Sequence, residues 1–180
     1  MAGRLIVVVG PSGAGKDTLI EGAMAHLPGL RRIRRVITRP ATAGGEDHDG
    51  IGFEAFAALS RRGGFAFEWE AHGLRYGLPA EIDAWLAEGQ DLLFNGSRAT
   101  LPALRAAYPQ LEIVLLTAPP EVLAARLAAR RRESVDEITK RLARRTEPIP
   151  KDATVVVNDG TVEDGVARLV AALSVQEESA

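Results

Sequence analysis

The chain has 180 residues, 46% hydrophobic, with 18 glycines and no cysteine, which is enough to bury an α/β core and leaves no disulfide framework or thiolate metal site. A formal net charge of −2 argues against a general nucleic-acid binder. The N-terminal apolar run covers only Leu5 to Val9, too short for a signal-peptide core or a membrane span, so the expectation is a cytoplasmic protein without membrane attachment.

The first predicted element, strand Leu5–Val9, runs into Gly10-Pro11-Ser12-Gly13-Ala14-Gly15-Lys16 and then a helix expected to reach about Leu27, before Pro28-Gly29. Strand, glycine-rich turn, lysine and helix in that register are the context of a P-loop, in which backbone N–H groups and the helix N-terminus converge on phosphate oxygens. Lys16 is then placed to bridge the terminal phosphates of a nucleoside triphosphate. A P-loop normally continues with Ser or Thr as a magnesium ligand; this chain has Asp17, and Thr18 lies about 100° further round the helix. Two readings of Asp17 stand side by side. A carboxylate beside a triphosphate is repulsive unless a cation separates them, which makes Asp17, with Thr18, a magnesium partner; an acid in a helix's first turn also simply suits the dipole.

A short strand is predicted near Ile33–Ile37, followed by Thr38-Arg39-Pro40 and the stretch Gly44-Gly45-Glu46-Asp47-His48-Asp49-Gly50, which reads as a loop with no regular element. Phe53–Arg62 reads as a short helix with Phe56 and Leu59 inward, Phe65–Trp69 as an alternating strand, and His72–Gly77 as a turn. A helix is expected from Pro79 to Gly89, and a core strand over Asp91–Asn95, with Gly96-Ser97-Arg98 at its C-terminal end, where open α/β sheets bind ligands. Strand Leu111–Thr117, a helix opening at Pro119-Pro120, strand Thr154–Asn158 and a helix over Val162–Leu173 complete the order, with a frayed tail from Gln176 to Ala180.

Arginine and lysine are unevenly placed: five of 22 lie between Arg31 and Arg39 and eight between Arg126 and Arg145. At 100° per residue Arg126 and Arg130 share a side with Leu123 and Leu127, and a second helix sets Arg141 and Arg145 beside Ile138 and Leu142. Arginines on the apolar side of two helices read as a lid over phosphates; a surface hairpin with ion pairs such as Glu137 to Arg141 is the alternative.

Gly10–Lys16, Thr38-Arg39-Pro40, Gly45-Glu46, Tyr76-Gly77 and the arginine-rich segment resemble the guanylate kinase group of P-loop kinases. That group carries a tyrosine where this chain has Gly52-Phe53, and an aspartate at the strand end where this chain has Asn95-Gly96-Ser97-Arg98. Lys16-Asp17, Ile37-Thr38-Arg39, Trp69 with Gly73 and Tyr76-Gly77, Asn95 to Ala99, Arg132-Glu133 and Asn158-Asp159-Gly160 are similar to the ribose 1,5-bisphosphate phosphokinases of bacterial phosphonate catabolism.

The resemblance implies a P-loop three-layer α/β fold over residues 1–180, with a parallel central sheet, an acceptor-binding insertion at about 38–80 and a helical lid at about 126–147. It implies ATP and Mg2+ as cofactors and ribose 1,5-bisphosphate as the second small-molecule substrate, in a monomer or homodimer. Gly10 to Lys16 with Asp17 and Thr18 would hold ATP and magnesium. Arg39, Glu46, His72, Tyr76, Asn95, Ser97 and Arg98 would hold the acceptor, Arg130, Arg132 and Arg141 would close over the transferring group, and Asn158-Asp159 would border the adenine or form a turn. Trp69 is expected in the core, and His48 is a weaker candidate for substrate contact.

Overall fold

The computed structural model describes residues 2–43, 47–130, 148 and 150–174, the side chains of Ala43 and Arg130 excepted. Strand β1, Leu5–Val9, has every residue buried, as a five-residue β-branched and leucine run demands of a central strand. Helix α1 follows over Lys16–Met24, ending three residues before the expected Leu27; the His26 N–H turns back to the Ala23 carbonyl at 3.0 Å.

The single strand expected near Ile33–Ile37 is two. β2, Leu30–Arg32, pairs in parallel with β7, Asp91–Asn95, and β3, Val36–Ile37, belongs to a different sheet. The Ile33 N–H still bonds the Leu93 carbonyl at 2.8 Å, and the chain leaves the first sheet beyond it. The expected loop is not wholly irregular: Asp49–Gly50 forms a short strand, β4, parallel to β3. Helix α2, Phe53–Arg61, buries Phe56 fully.

β5, Phe65–Ala71, and β6, Leu74–Pro79, make an antiparallel hairpin, so the turn expected over 72–77 shrinks to its first two residues. His72 and Gly73 have φ of 54° and 72°, the pair of left-handed residues that a two-residue hairpin needs. Tyr76 and Gly77 are strand residues, paired with Trp69 and Glu68 on one side and Ile37 and Val36 on the other. Helix α3 covers Glu81–Ala87 rather than starting at Pro79, which closes β6. Helix α4, Leu101–Ala107, opens with Pro102 in its first turn and was not anticipated. β8 is Glu112–Thr117, helix α5 Pro120–Arg130, β9 Thr154–Val157 and helix α6 Val162–Ser174.

The larger sheet has strand order β2-β7-β1-β8-β9 and the smaller β4-β3-β6-β5. The chain divides into two compact units. One takes in residues 1–6, 29–94 and 100–112, and so contains the smaller sheet. At its base Arg4 holds Asp91 by a 2.6 Å ion pair and reaches Glu112 at 3.7 Å; burial lifts the Glu112 carboxyl above its ordinary value, with Arg4 opposing. The other unit takes in residues 7–28, 95–99 and 113–180, and contains the glycine-rich loop. Its helices α1 and α6 pack closely where Gly22 faces Val166, a spot with no room for a Cβ. The expected lid beyond Arg130 and the tail from Gln176 lie outside the described residues. Among those described, no helix is long and apolar enough to cross a membrane.

Candidate active site

The glycine-rich loop is shaped by what lies behind it. A Cβ on Gly10 would collide with the Leu116 carbonyl of β8, so only glycine lets β1 turn out of the sheet there. Gly15 caps α1 with φ of +90°, a left-handed backbone, and a Cβ there would lie 2.8 Å from the Asn158 amide nitrogen. Gly13 and Ala14 are buried, Gly10, Pro11 and Gly15 partly exposed, and Ser12 exposed. The Lys16 ammonium donates to the carbonyls of Gly10 at 2.8 Å and Pro11 at 3.2 Å, which holds it over the loop.

Asn158 was expected beside adenine or in a turn, and its side chain supports the loop. It is 4% exposed, and its Nδ2 donates to the Ala14 carbonyl at 2.8 Å, while Oδ1 is buried with no hydrogen-bond partner among the described residues. This asparagine fixes the peptide that leads into Gly15. Asp159 faces solvent and pairs with Arg168 at 2.6 Å, a hydrogen bond that holds its carboxyl below the usual range.

Asp17 and Asn95 meet at the loop's edge. Asn95 Nδ2 donates to Asp17 Oδ1 at 3.2 Å, and the Gly96 N–H bonds the Val8 carbonyl at 2.9 Å, so the end of β7 is tied to the strand that feeds the loop. The bond gives the Asp17 carboxylate a direction. Thr18 is exposed on α1, and Ser97 and Arg98 follow Asn95 half-buried, Arg98 opening a 3₁₀ turn to Thr100. Arg126, half-buried on α5 as the helical spacing of its apolar neighbours implied, extends Nη1 to the Gly13 carbonyl at 3.5 Å.

The remaining acceptor candidates sit in the unit with the smaller sheet. Thr38 is buried and clamps β6 twice: its N–H donates to the Arg75 carbonyl at 3.0 Å and its Oγ1 accepts from the Arg75 N–H at 2.8 Å. That clamp sets the backbone of Arg39. Tyr76 stacks on Trp69 with centroids 5.2 Å apart and planes 7° apart, and Arg35 lies 5.4 Å from the Tyr76 ring. Trp69 is therefore a half-exposed partner of Tyr76 rather than a core residue. His72, at the hairpin tip, is exposed. Glu46, Arg132 and Arg141, and the side chain of Arg130, lie outside the described residues.

Two residues carry more than the sequence suggested. His48 is 2% exposed against Arg39 and cannot itself present a ring to solvent, and Asn158 is a buttress. Asn158 depends on Ala14, 144 residues away, and His48 on Arg39, 9 residues away.

A β-strand, a glycine loop capping a helix and a lysine folded over that loop define a P-loop phosphotransferase with a parallel-sheet α/β fold. The AAA domain family model matches residues 6–149. The guanylate kinase of Anaplasma phagocytophilum superposes with a TM-score of 0.70 at 20% identity, over 97% of this chain and 86% of that one, a likeness of fold. The ribose 1,5-bisphosphate phosphokinase PhnN of Rhizobium etli is 46% identical, over 95% of this chain and 89% of its own length. The bifunctional ribose 1,5-bisphosphokinase-thymidine phosphorylase of Azorhizobium caulinodans is 48% identical over 97% of this chain, which spans 26% of that protein. The chain belongs to the ribose 1,5-bisphosphate phosphokinase family.

Proposed function

We propose that this chain transfers the γ-phosphoryl group of ATP to the anomeric phosphate of ribose 1,5-bisphosphate, giving 5-phosphoribosyl 1-diphosphate and ADP. An oxygen of the acceptor's C1 phosphate forms the new P–O bond as the bond from the γ-phosphorus to the β,γ-bridging oxygen breaks. Family membership carries the reading, and the chemistry of the residues agrees with it. A phosphate dianion needs no general base, and the site supplies charge compensation instead of a His or Asp constellation.

In this reading Gly10 to Gly15 and Lys16 hold the ATP phosphates, Asn158 keeps the loop in shape, and Arg126 extends the cationic rim. Among the described residues no three His, Asp or Glu side chains are grouped to hold a metal. A lone carboxylate at the loop, Asp17, with substrate phosphates and water is the donor set that Mg2+ takes in nucleotide sites, with Thr18 beside it. Bound there, Mg2+ would neutralise charge on the β- and γ-phosphates. Asn95 orients Asp17, taking the strand-end place at which guanylate kinases carry an aspartate.

Arg39 and Arg98 are assigned to the acceptor's two phosphates and Tyr76 to the same substrate. Ser97 lies beside Arg98 and suits a sugar hydroxyl. Glu46 and the arginines 130, 132 and 141 keep the roles expected from the sequence, as acceptor contact and as cover for the transferring group. His72 is the weakest assignment, since its hairpin turn explains it. Incubating the protein with ATP, Mg2+ and an equimolar mixture of ribose 1,5-bisphosphate and GMP, with products read by mass, tests the reading. The expected product is 5-phosphoribosyl 1-diphosphate; GDP as the main product would refute it.

A further inference from the structure

His48 is a buried imidazole in a stretch otherwise rich in glycine and acid, and both of its ring nitrogens meet the same residue. Nδ1 lies 3.4 Å from Arg39 Nη2, and Nε2 lies 3.3 Å from the Arg39 carbonyl oxygen. A guanidinium can only donate and a carbonyl can only accept. The two contacts together are satisfied by one form of the ring, the neutral tautomer with its proton on Nε2.

We propose that His48 is a positioning residue that sets the Arg39 guanidinium for an anionic acceptor, its Nδ1 accepting from Nη2 while its Nε2–H holds the Arg39 carbonyl. The inference rests on the assignment of Arg39 to an acceptor phosphate. Arg39 Nε is itself buried with no hydrogen-bond partner among the described residues, which leaves the Nη2 contact with His48 as a fixed point of the guanidinium.

The surroundings hold His48 firmly. The His48 carbonyl accepts from Arg34 Nη2 at 3.3 Å, and Arg34 in turn pairs with Asp47 at 3.1 Å and Asp49 at 2.9 Å, the residues on either side of His48. Arg39 meets the ring of His48 and Arg34 its carbonyl. A second ring proton would place an N–H against Arg39 Nη2 and remove the acceptor that orients it. The imidazole thus works as a neutral acceptor beside a cation, where a lysine or a protonated histidine would repel.

Two substitutions separate positioning from filling space. In His48→Asn the side-chain amide ends at the δ position and can still present an oxygen to Arg39 Nη2; in His48→Gln the amide ends at the ε position and cannot. His48→Gln should raise the KM for ribose 1,5-bisphosphate by about tenfold, the loss expected for one hydrogen bond to a charged group. His48→Asn should retain most of the acceptor affinity, and both should leave the KM for ATP within about twofold, since ATP is assigned to other residues. Equal acceptor KM values in the two variants, or a parallel fall in every kinetic constant and in Tm, would overturn the proposal. Arg39→Ala is the control on the reading beneath it. If Arg39→Ala leaves the acceptor KM unchanged, the assignment of Arg39 fails. If it raises that KM while His48→Gln does not, His48 alone is misassigned.

Discussion

Asn158→Asp is the sharpest perturbation of the phosphate loop, because it keeps volume and shape while replacing the amide donor with a second acceptor. The donor reaches the Ala14 carbonyl at 2.8 Å inside a site where Asn158 is 4% exposed and Ala14 fully buried. Leaving a buried carbonyl without its donor costs about 1–3 kcal/mol, and oxygen facing oxygen adds repulsion, so the upper end of that range is expected. Asn158→Ala should cost less. It also strips the donor, but it removes Oδ1, itself a buried acceptor with no partner among the described residues. For a chain of this size, Tm falls by about 2–4 °C per kcal/mol, so the aspartate variant should melt roughly 5–10 °C below the wild type. Because the peptide concerned leads into Gly15 and the N-terminus of α1, ATP affinity should fall with it. Differential scanning calorimetry and ATP titration read the two effects. An aspartate variant that melts with the wild type and binds ATP equally would refute the buttress.

Lys16→Ala should lower turnover by at least about a hundredfold while the far-ultraviolet circular dichroism is unchanged; full turnover would remove Lys16 from the chemistry. Asp17→Asn should raise the Mg2+ concentration needed for half-maximal rate by about ten- to a hundredfold, and Asn95→Ala by less, since Asn95 acts through Asp17. An unaltered magnesium dependence in Asp17→Asn would leave the aspartate with the helix dipole alone. Glu112 offers a pH test. Burial raises its carboxyl above 4.5, so the stability this group contributes is full below that value and is lost as pH rises through the folded value. Glu112→Gln, neutral throughout, should therefore gain stability relative to the wild type as thermal melts move from about pH 4 to pH 7; a constant gap would refute the sign.

The parts of the fold that the sequence displayed were those specified by neighbouring residues. β1, the glycine loop with Lys16, and β7 over Asp91–Asn95 could be read because a buried run and its punctuation lie next to one another. What was misread depends on pairing across the chain. One strand was expected near Ile33–Ile37, whereas Leu30–Arg32 pairs with β7 and Val36–Ile37 with β6. Tyr76-Gly77 sits near a true turn at His72-Gly73, and only its pairing with both Ile37 and Trp69 makes it strand.

The site followed the same division. Lys16 and the loop glycines were legible as a motif, and the helical spacing of Arg126 put it on the apolar side of its helix, without naming the Gly13 carbonyl that it reaches. Asn158-Asp159-Gly160 has the composition of a turn, and nothing local says that its asparagine reaches back to Ala14, 144 residues away. His48 reads in the sequence only as a loop residue that could touch substrate; its burial against Arg39 is seen once β3 and β4 lie side by side.

Phosphorus NMR of the protein with ATP, Mg2+ and ribose 1,5-bisphosphate tests the central claim most directly. The signal of the anomeric phosphate should give way to the coupled pair of a diphosphate ester as ADP accumulates, and GMP in its place should leave the ATP signals standing. Rapid conversion of GMP to GDP, with the sugar phosphate signals unchanged, would contradict it.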